Sequence, residues 1–402
     1  MSWEPRFPLR PPPLPEEALS SWMARLAAAL GVQNDDILVA GLDMPVLTDD
    51  QLDVQPPRTL LTRLAARTTV SVEALRAMTV EGYVPLLIDQ LTPAPDLMQT
   101  YTSQYWFFVR PEHRALRGSP ELVPWQGSGP PRRWTCPGCL HDDARLYRRL
   151  HWCVAWMGSC PVHGILLDER PGLLGAQDYA QTPTMVAHPD LLFLDGLTLQ
   201  AITDGTVVLP NGRRLHGGSW VRMVRAVLEE LGLTMQEAHQ ARNTLRVFWT
   251  THGLGYRQGL GRPRPFELYA PARQRLLLTV AGTALRMLCT GQIASRSPWA
   301  MLLAPCVPQD DLVSRPVQPG GGEPNPWESP SRPTLGALLQ QWVEVCRRDP
   351  TSAAHMRQWL LAGSQRHANP AAAVDQLLTE LGIPLPPCCH IYARLTLLED
   401  IE

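Results

Sequence analysis

The chain contains no lysine: all 36 of its basic residues are arginine. It therefore lacks the lysine that grips nucleotide phosphates in a P-loop and the amine that forms a Schiff base with a carbonyl substrate or pyridoxal phosphate, which removes two large enzyme classes. Charge of either sign is scarce, at 18% of residues against a usual quarter, and 38 acidic residues leave a formal net charge of -2. A chain this close to neutrality has no global attraction for nucleic acid, so any basic surface has to be local. Long apolar runs are missing as well. The longest, around Leu276 to Leu285, is halted by Arg286, short of the roughly 18 residues needed to cross a bilayer. No apolar leader precedes the nine cysteines, and their odd count argues against a secreted disulfide framework. The expectation is a soluble, cytoplasmic protein with reduced thiols and no membrane partner.

What is abundant is proline, 40 of 402 residues and about twice the average share, which points to a folded but loop-rich chain long enough for two or three domains. Four of the scarce soft ligands are grouped. Cys136-Pro137-Gly138-Cys139 is followed after twenty residues by Cys160-Pro161-Val162-His163-Gly164. Two paired-ligand knuckles at this separation are what a tetrahedral zinc site requires, because each short turn presents two donors to one coordination sphere. A proline follows the first cysteine of each knuckle and a glycine follows the histidine, a repeated syntax of matched tight turns. Four ligands, Cys136, Cys139, Cys160 and His163, leave no open position for a reactive water, so one structural Zn2+ per chain is expected.

Hydropathy patterning predicts a mainly α protein. Six prolines in the first fifteen residues give an extended start. Leu19, Trp22, Met23, Leu26 and Leu30 then recur at helical spacing, behind Glu16 and Glu17 and ahead of a terminating Gly31. Leu60, Leu61 and Leu64 mark a second helix and Ser71 caps a third bearing Leu75 and Met78, the outline of a helix-turn-helix, although most such pairs simply pack a core. Tyr105, Trp106, Phe107 and Phe108 read as core or strand. Asn211-Gly212 predicts a hairpin over 206–215. Val221, Val224, Leu228 and Leu231 form a helical stripe stopped by Gly232, and Thr234 with Glu237 forms a capping box for the next helix. A long helix is expected from about Pro271 to Ile293 and one from Asn369-Pro370 to near Gly382, while Cys388, Cys389 and His390 lack a second knuckle. Eight prolines and Gly320-Gly321-Gly322 make 305–333 a linker. The domain reading is 1–130, an N-terminal helical region; 131–175, a zinc finger; 176–304, a mixed, mostly helical region with a minor hairpin; the linker; and 334–402, a helical region.

Inside the finger, Arg145, Arg148 and Arg149 recur at helical spacing against Leu146, Leu150 and Trp152, and Arg132 and Arg133 precede it. These five arginines are the candidates for contact with phosphate or an acidic partner, with a solvated helix face as the alternative.

Two motifs resemble the TniQ family, the target-selection proteins of heteromeric and CRISPR-associated transposons. One is Pro15-Glu16-Glu17-Ala18-Leu19-Ser20-Ser21-Trp22-Met23-Ala24-Arg25-Leu26, similar to the family's opening P-x-E-S-L-S-S-W-L-x-R-L, with Ala18 in place of the usual serine. The other is the finger itself, with Tyr147-Arg148 and Trp152 between the knuckles and Leu166 and Leu167 after them. The two cover about the first 175 residues. The resemblance implies a non-enzymatic adaptor that links a target-recognition element, DNA or an RNA-guided effector complex, to an AAA+ transposition ATPase and through it to the transposase. Some members act as dimers, so it also admits a homodimer, which nothing in the periodicity shows. Two readings of other classes compete. One is a zinc-containing, sequence-specific DNA-binding regulator reading DNA through residues 59–81. The other is a nuclease using His141, Asp142 or Asp143 on catalytic metals.

Overall fold

The structure is a computed structural model that describes residues 6–94, 97–114, 122–123, 125–126, 134–142, 146–169, 184–295, 297–305, 335–349, 353, 356–357, 360 and 370–384. It is mainly helical. Residues 1–312 and 313–402 form two separate units.

The first unit begins with the predicted amphipathic helix, α1 (Leu19–Leu30), which ends at Gly31 in the left-handed conformation, φ 73°, where a side chain would be strained. After a short turn, α2 (Asn34–Asp36), come α3 (Asp49–Val54), α4 (Arg58–Thr68) and α5 (Val72–Ala77). Thr48 and Ser71 cap α3 and α5 by accepting the N–H groups of Gln51 and Ala74. The apolar stripe of α1 packs with Ile37, Leu38, Leu52, Leu60, Leu61, Leu64, Leu75 and Met78 as one small core. Trp22 is fully buried there.

A larger core takes over at Ala18 and runs to Leu303. It gathers α6 (Leu97–Ser103), α7 (Pro137–Asp142), α8 (Pro189–Asp204), α9 (Gly217–Leu231), α10 (Arg242–Thr250), α11 (Pro271–Cys289) and α12 (Pro298–Leu303). Three two-stranded antiparallel pairs complete it: β1 (Trp134–Thr135) with β4 (Asp168–Glu169), β2 (Ser159–Cys160) with β3 (Ile165–Leu166), and β5 (Thr206–Val208) with β6 (Arg214–His216). The last is the predicted hairpin, with Gly212 at φ 79° in its loop. Of the aromatic stretch, Tyr101 lies in α6 and Phe107 is fully buried outside any strand.

Two buried ion clusters tie distant segments into this core. Glu230 of α9 accepts the successive N–H groups of Phe107, Phe108 and Val109 at 2.8, 2.7 and 3.1 Å. Arg225 donates to both carboxylate oxygens of Glu267, at 2.9 and 3.0 Å, and to Glu229 at 3.1 Å. Buried charges persist only when paired in this way.

Some expectations shift in detail. Thr234 and Glu237 do form a reciprocal box, but it opens a turn, and α10 starts only at Arg242. The long helix stops at Cys289 rather than Ile293, because Gly291 turns left-handed at φ 71°. In the second unit, α13 (Leu335–Arg348) and α14 (Pro370–Glu380) share a small cluster including Cys346, Met356, Val374 and Leu378. Residues 306–334, Cys388, Cys389 and His390 lie outside the described residues. No helix among the described residues is long and apolar enough to cross a membrane.

Candidate metal centre and its attachment to the N-terminal motif

Cys136 precedes α7, whose first turn carries Cys139, while Cys160 ends β2 and His163 sits in the turn before β3. Their ligand atoms all lie within 4.8 Å of one another. The Cys139 and Cys160 sulfurs are 3.7 Å apart, and His163 Nδ1 is 3.3 Å from Cys139 Sγ and 3.6 Å from those of Cys136 and Cys160. Tetrahedral zinc with bonds of about 2.0 to 2.3 Å separates its ligand atoms by about 3.5 to 3.7 Å, so this donor set could hold such an ion. The outer nitrogen, Nε2, is 2.9 Å from Asp142 Oδ2, the carboxylate orientation common behind a ligating imidazole.

Local sequence explains the approach. A Cβ on Gly138 would fall 2.6 Å from the His163 ring, so only glycine allows the second knuckle to close over the first. The Cys139 N–H points at Cys136 Sγ, 3.4 Å away. The four groups compete for protons. Hydrogen bonding from Cys136 and then Cys139 drives the Cys160 thiol far down, while Cys139 is driven far up by its bonds with Cys136 and Cys160. Burial alone would lower the His163 pKa, but the bonds to Asp142 and Cys160 raise it. Metal binding requires thiolates and a neutral imidazole, so a cation would settle this competition.

The N-terminal motif is fastened to the same segment. Glu17 is buried and takes a two-pronged contact from Arg25, Nε to Oε1 and Nη2 to Oε2, both 2.7 Å. Ser21 donates to Glu17 at 3.3 Å and accepts the Arg148 N–H at 2.9 Å. Ala18 N–H donates to the Arg148 carbonyl and Leu150 N–H to that of Glu16, at 2.9 and 2.8 Å, so Glu17 and Arg149 pair as in an antiparallel ladder. Ser20 donates to Asp53 through both its N–H and its hydroxyl at 2.7 Å, and Trp22 Nε1 reaches the Pro11 carbonyl at 2.9 Å. Each polar side chain of the motif is thus spent on joining α1 to the segment between the two knuckles or to its own neighbours. Residues 8–167, which contain both motifs, match the family model described as TniQ.

This segment is a TniQ domain. The comparison with curated proteins gives no match, and the comparison with solved structures gives none.

The TniQ domain corrects the expected basic helix. Residues 146–148 are not helical: α7 ends at Asp142, and Leu150–Cys153 is a single tight turn. Pairing with residues 16–18 holds this stretch extended. Arg148 is buried, its Nη1 3.9 Å from Asp49 Oδ2. Arg149 lies over the rings of Tyr147 and Trp152 at 4.7 and 5.1 Å. Arg132, Arg133, Arg145 and Asp143 lie outside the described residues. His141 is exposed, and Asp142 faces His163.

Sequence reading missed the groups that fix the domain from its far side. Asp195 of α8 accepts from Gly158 N–H at 3.1 Å and from the Ser159 N–H and hydroxyl at 2.6 Å, anchoring β2 just before Cys160. Its burial raises its pKa to about 7. Arg275 of α11 donates to the Leu167 carbonyl at 2.7 Å and stacks 4.8 Å from the Trp134 ring centre. Neither carries a local signal, since both act across gaps of more than thirty residues.

Proposed function

We propose that this chain is a non-enzymatic adaptor in target-site selection for DNA transposition, linking a target-recognition element, DNA or an RNA-guided complex, to an AAA+ ATPase and its transposase. The observation that carries this reading is that the two family motifs form one interlocked unit under the TniQ match. The metal is Zn2+ and its role is structural. The four ligands are protein side chains and three are buried, so they brace the junction between α1 and the rest of the first unit instead of activating a water. The absence of lysine supports placing nucleotide hydrolysis in a partner.

The test is an insertion assay with the matching ATPase, transposase and target. With the chain present, insertions concentrate at the chosen site; without it they become rare or scattered. An unchanged site distribution on omission would refute the assignment. Plasmid cleavage by the pure protein with added metal would instead support a nuclease. Sequence-selective duplex binding through residues 59–81 alone would support a regulator.

A further inference from the structure

The charge of this chain is segregated in a way its net value conceals. Between Glu237 and Asp310 there are nine arginines and one acidic residue, Glu267. Glu267 cannot neutralise them at the surface, because it is buried and both its carboxylate oxygens are held by Arg225. Five of these arginines are placed outward. Arg242 and Arg246 stand one turn apart on the exposed side of α10, whose Leu245, Phe248 and Trp249 face the core. Arg262 and Arg264 flank Pro263 in the connection from α10 to α11, and Arg273 occupies the first turn of α11, which packs on α10. All five are exposed and none forms an ion pair among the described residues.

We infer that this arginine-rich face of α10, the 251–270 connection and the start of α11 binds the phosphate backbone of duplex DNA without reading its sequence. A strong, uncompensated positive surface on a near-neutral protein is the electrostatic footprint of a polyanion partner. Duplex fits better than single strands. Binding a single strand calls for exposed aromatic rings on which bases stack, and here Phe248, Trp249, Phe266 and Tyr269 are buried while Tyr256 is held by its hydroxyl on the Leu233 carbonyl. An acidic protein fits less well too, because protein interfaces centre on large apolar anchors and this stretch exposes only Val247 and Leu268. The inference rests on charge placement, not on the adaptor reading.

The test uses the full chain and a fluorescently labelled duplex of arbitrary sequence, with anisotropy followed across a salt series. Replacing Arg242, Arg246 and Arg273 by Gln should weaken binding at least tenfold at low salt. It should also reduce the steepness of log K against log salt by about 0.9 for each phosphate that is no longer neutralised. The comparison variant replaces Arg10, Arg58 and Arg214, three exposed arginines elsewhere, and should bind as the parent does. Equal weakening in both variants, or an unchanged curve in the first, would overturn the inference. So would displacement of the parent by single-stranded RNA or polyglutamate at lower concentration than by unlabelled duplex. Failure here leaves the insertion assay unaffected, so the two readings fall independently.

Discussion

Replacing Gly138 by alanine tests the metal centre through one methyl group. The added Cβ would lie 2.6 Å from Cγ and Cδ2 of His163, where ordinary contact begins at 3.4 Å, so the two must part by 3.4 − 2.6 = 0.8 Å. The backbone of Gly138 has little freedom to yield, because it lies in α7 between two cysteine ligands and beside the 3.4 Å N–H to sulfur contact. The imidazole must move instead. Metal sites tolerate distance errors of only about 0.2 Å, so the displacement removes or badly misplaces one ligand of four. Removing even a supporting group behind a ligand weakens metal affinity by about 10- to 100-fold, and that range is the least effect expected here. Competition against a chromogenic chelator measures it, with zinc content and a melting curve on the same sample. Gly196→Ala is the matched control. That glycine lies inside α8 with nothing within 4 Å of the added carbon, so the change should leave zinc binding intact and stabilise the helix by about 0.5–1 kcal/mol. A Gly138→Ala protein that holds zinc as tightly as the parent would refute the argument.

Three further outcomes are expected. Trp22→Ala should lower stability by about 3–5 kcal/mol, measured by denaturant unfolding, because it empties a fully buried site and frees the Pro11 carbonyl; parent-like unfolding would show the indole to be dispensable. Glu17→Ala should cost about 3–5 kcal/mol, since it leaves Arg25 mostly buried without a counter-charge, and hydrogen exchange at the Ala18 and Leu150 amides should quicken if Glu17 aligns the two strands. Burial outweighs the Ser20 hydrogen bonds and raises Asp53 from 3.8 to about 6. The folded state therefore holds this proton where the unfolded chain has lost it, so stability should fall by on the order of 3 kcal/mol as pH rises from about 4 to about 6. Asp53→Asn should flatten that decline, and an unaltered pH profile in the variant would remove Asp53 as its source.

Features written in consecutive residues are legible in the sequence. The stripe of α1, the caps at Ser71 and Gly31, the hairpin at Asn211-Gly212 and the two knuckles each depend on residues a few positions apart. The arginines of the finger mislead for the opposite reason. Their spacing fits a helix, but Arg148 and Leu150 are claimed by hydrogen bonds to Ala18, Ser21 and Glu16, more than 120 positions away. Asp195, Arg275 and Glu230 are invisible on the same ground. A lone charged residue within a helical stripe gives no sign that it will be drawn inward by backbone amides elsewhere. The basic face between Glu237 and Asp310 is written in composition, yet becomes meaningful only once Glu267 is seen to be consumed in the interior.

Ala18 and Leu19 are neighbours in the chain but belong to different cores: Leu19 packs with residues that end at Met78, whereas Ala18 packs with residues that extend to Leu303. On a ribosome that seam becomes a schedule. The cluster around α1 has every member it needs once the chain is about 80 residues beyond the exit tunnel. The Ala18 N–H and the Glu16 carbonyl must then wait for Arg148 and Leu150, and the larger core for α8 to α11. A nascent chain halted after residue 167 would therefore carry the whole matched TniQ segment with Trp134 still lacking Arg275, which stacks on its ring.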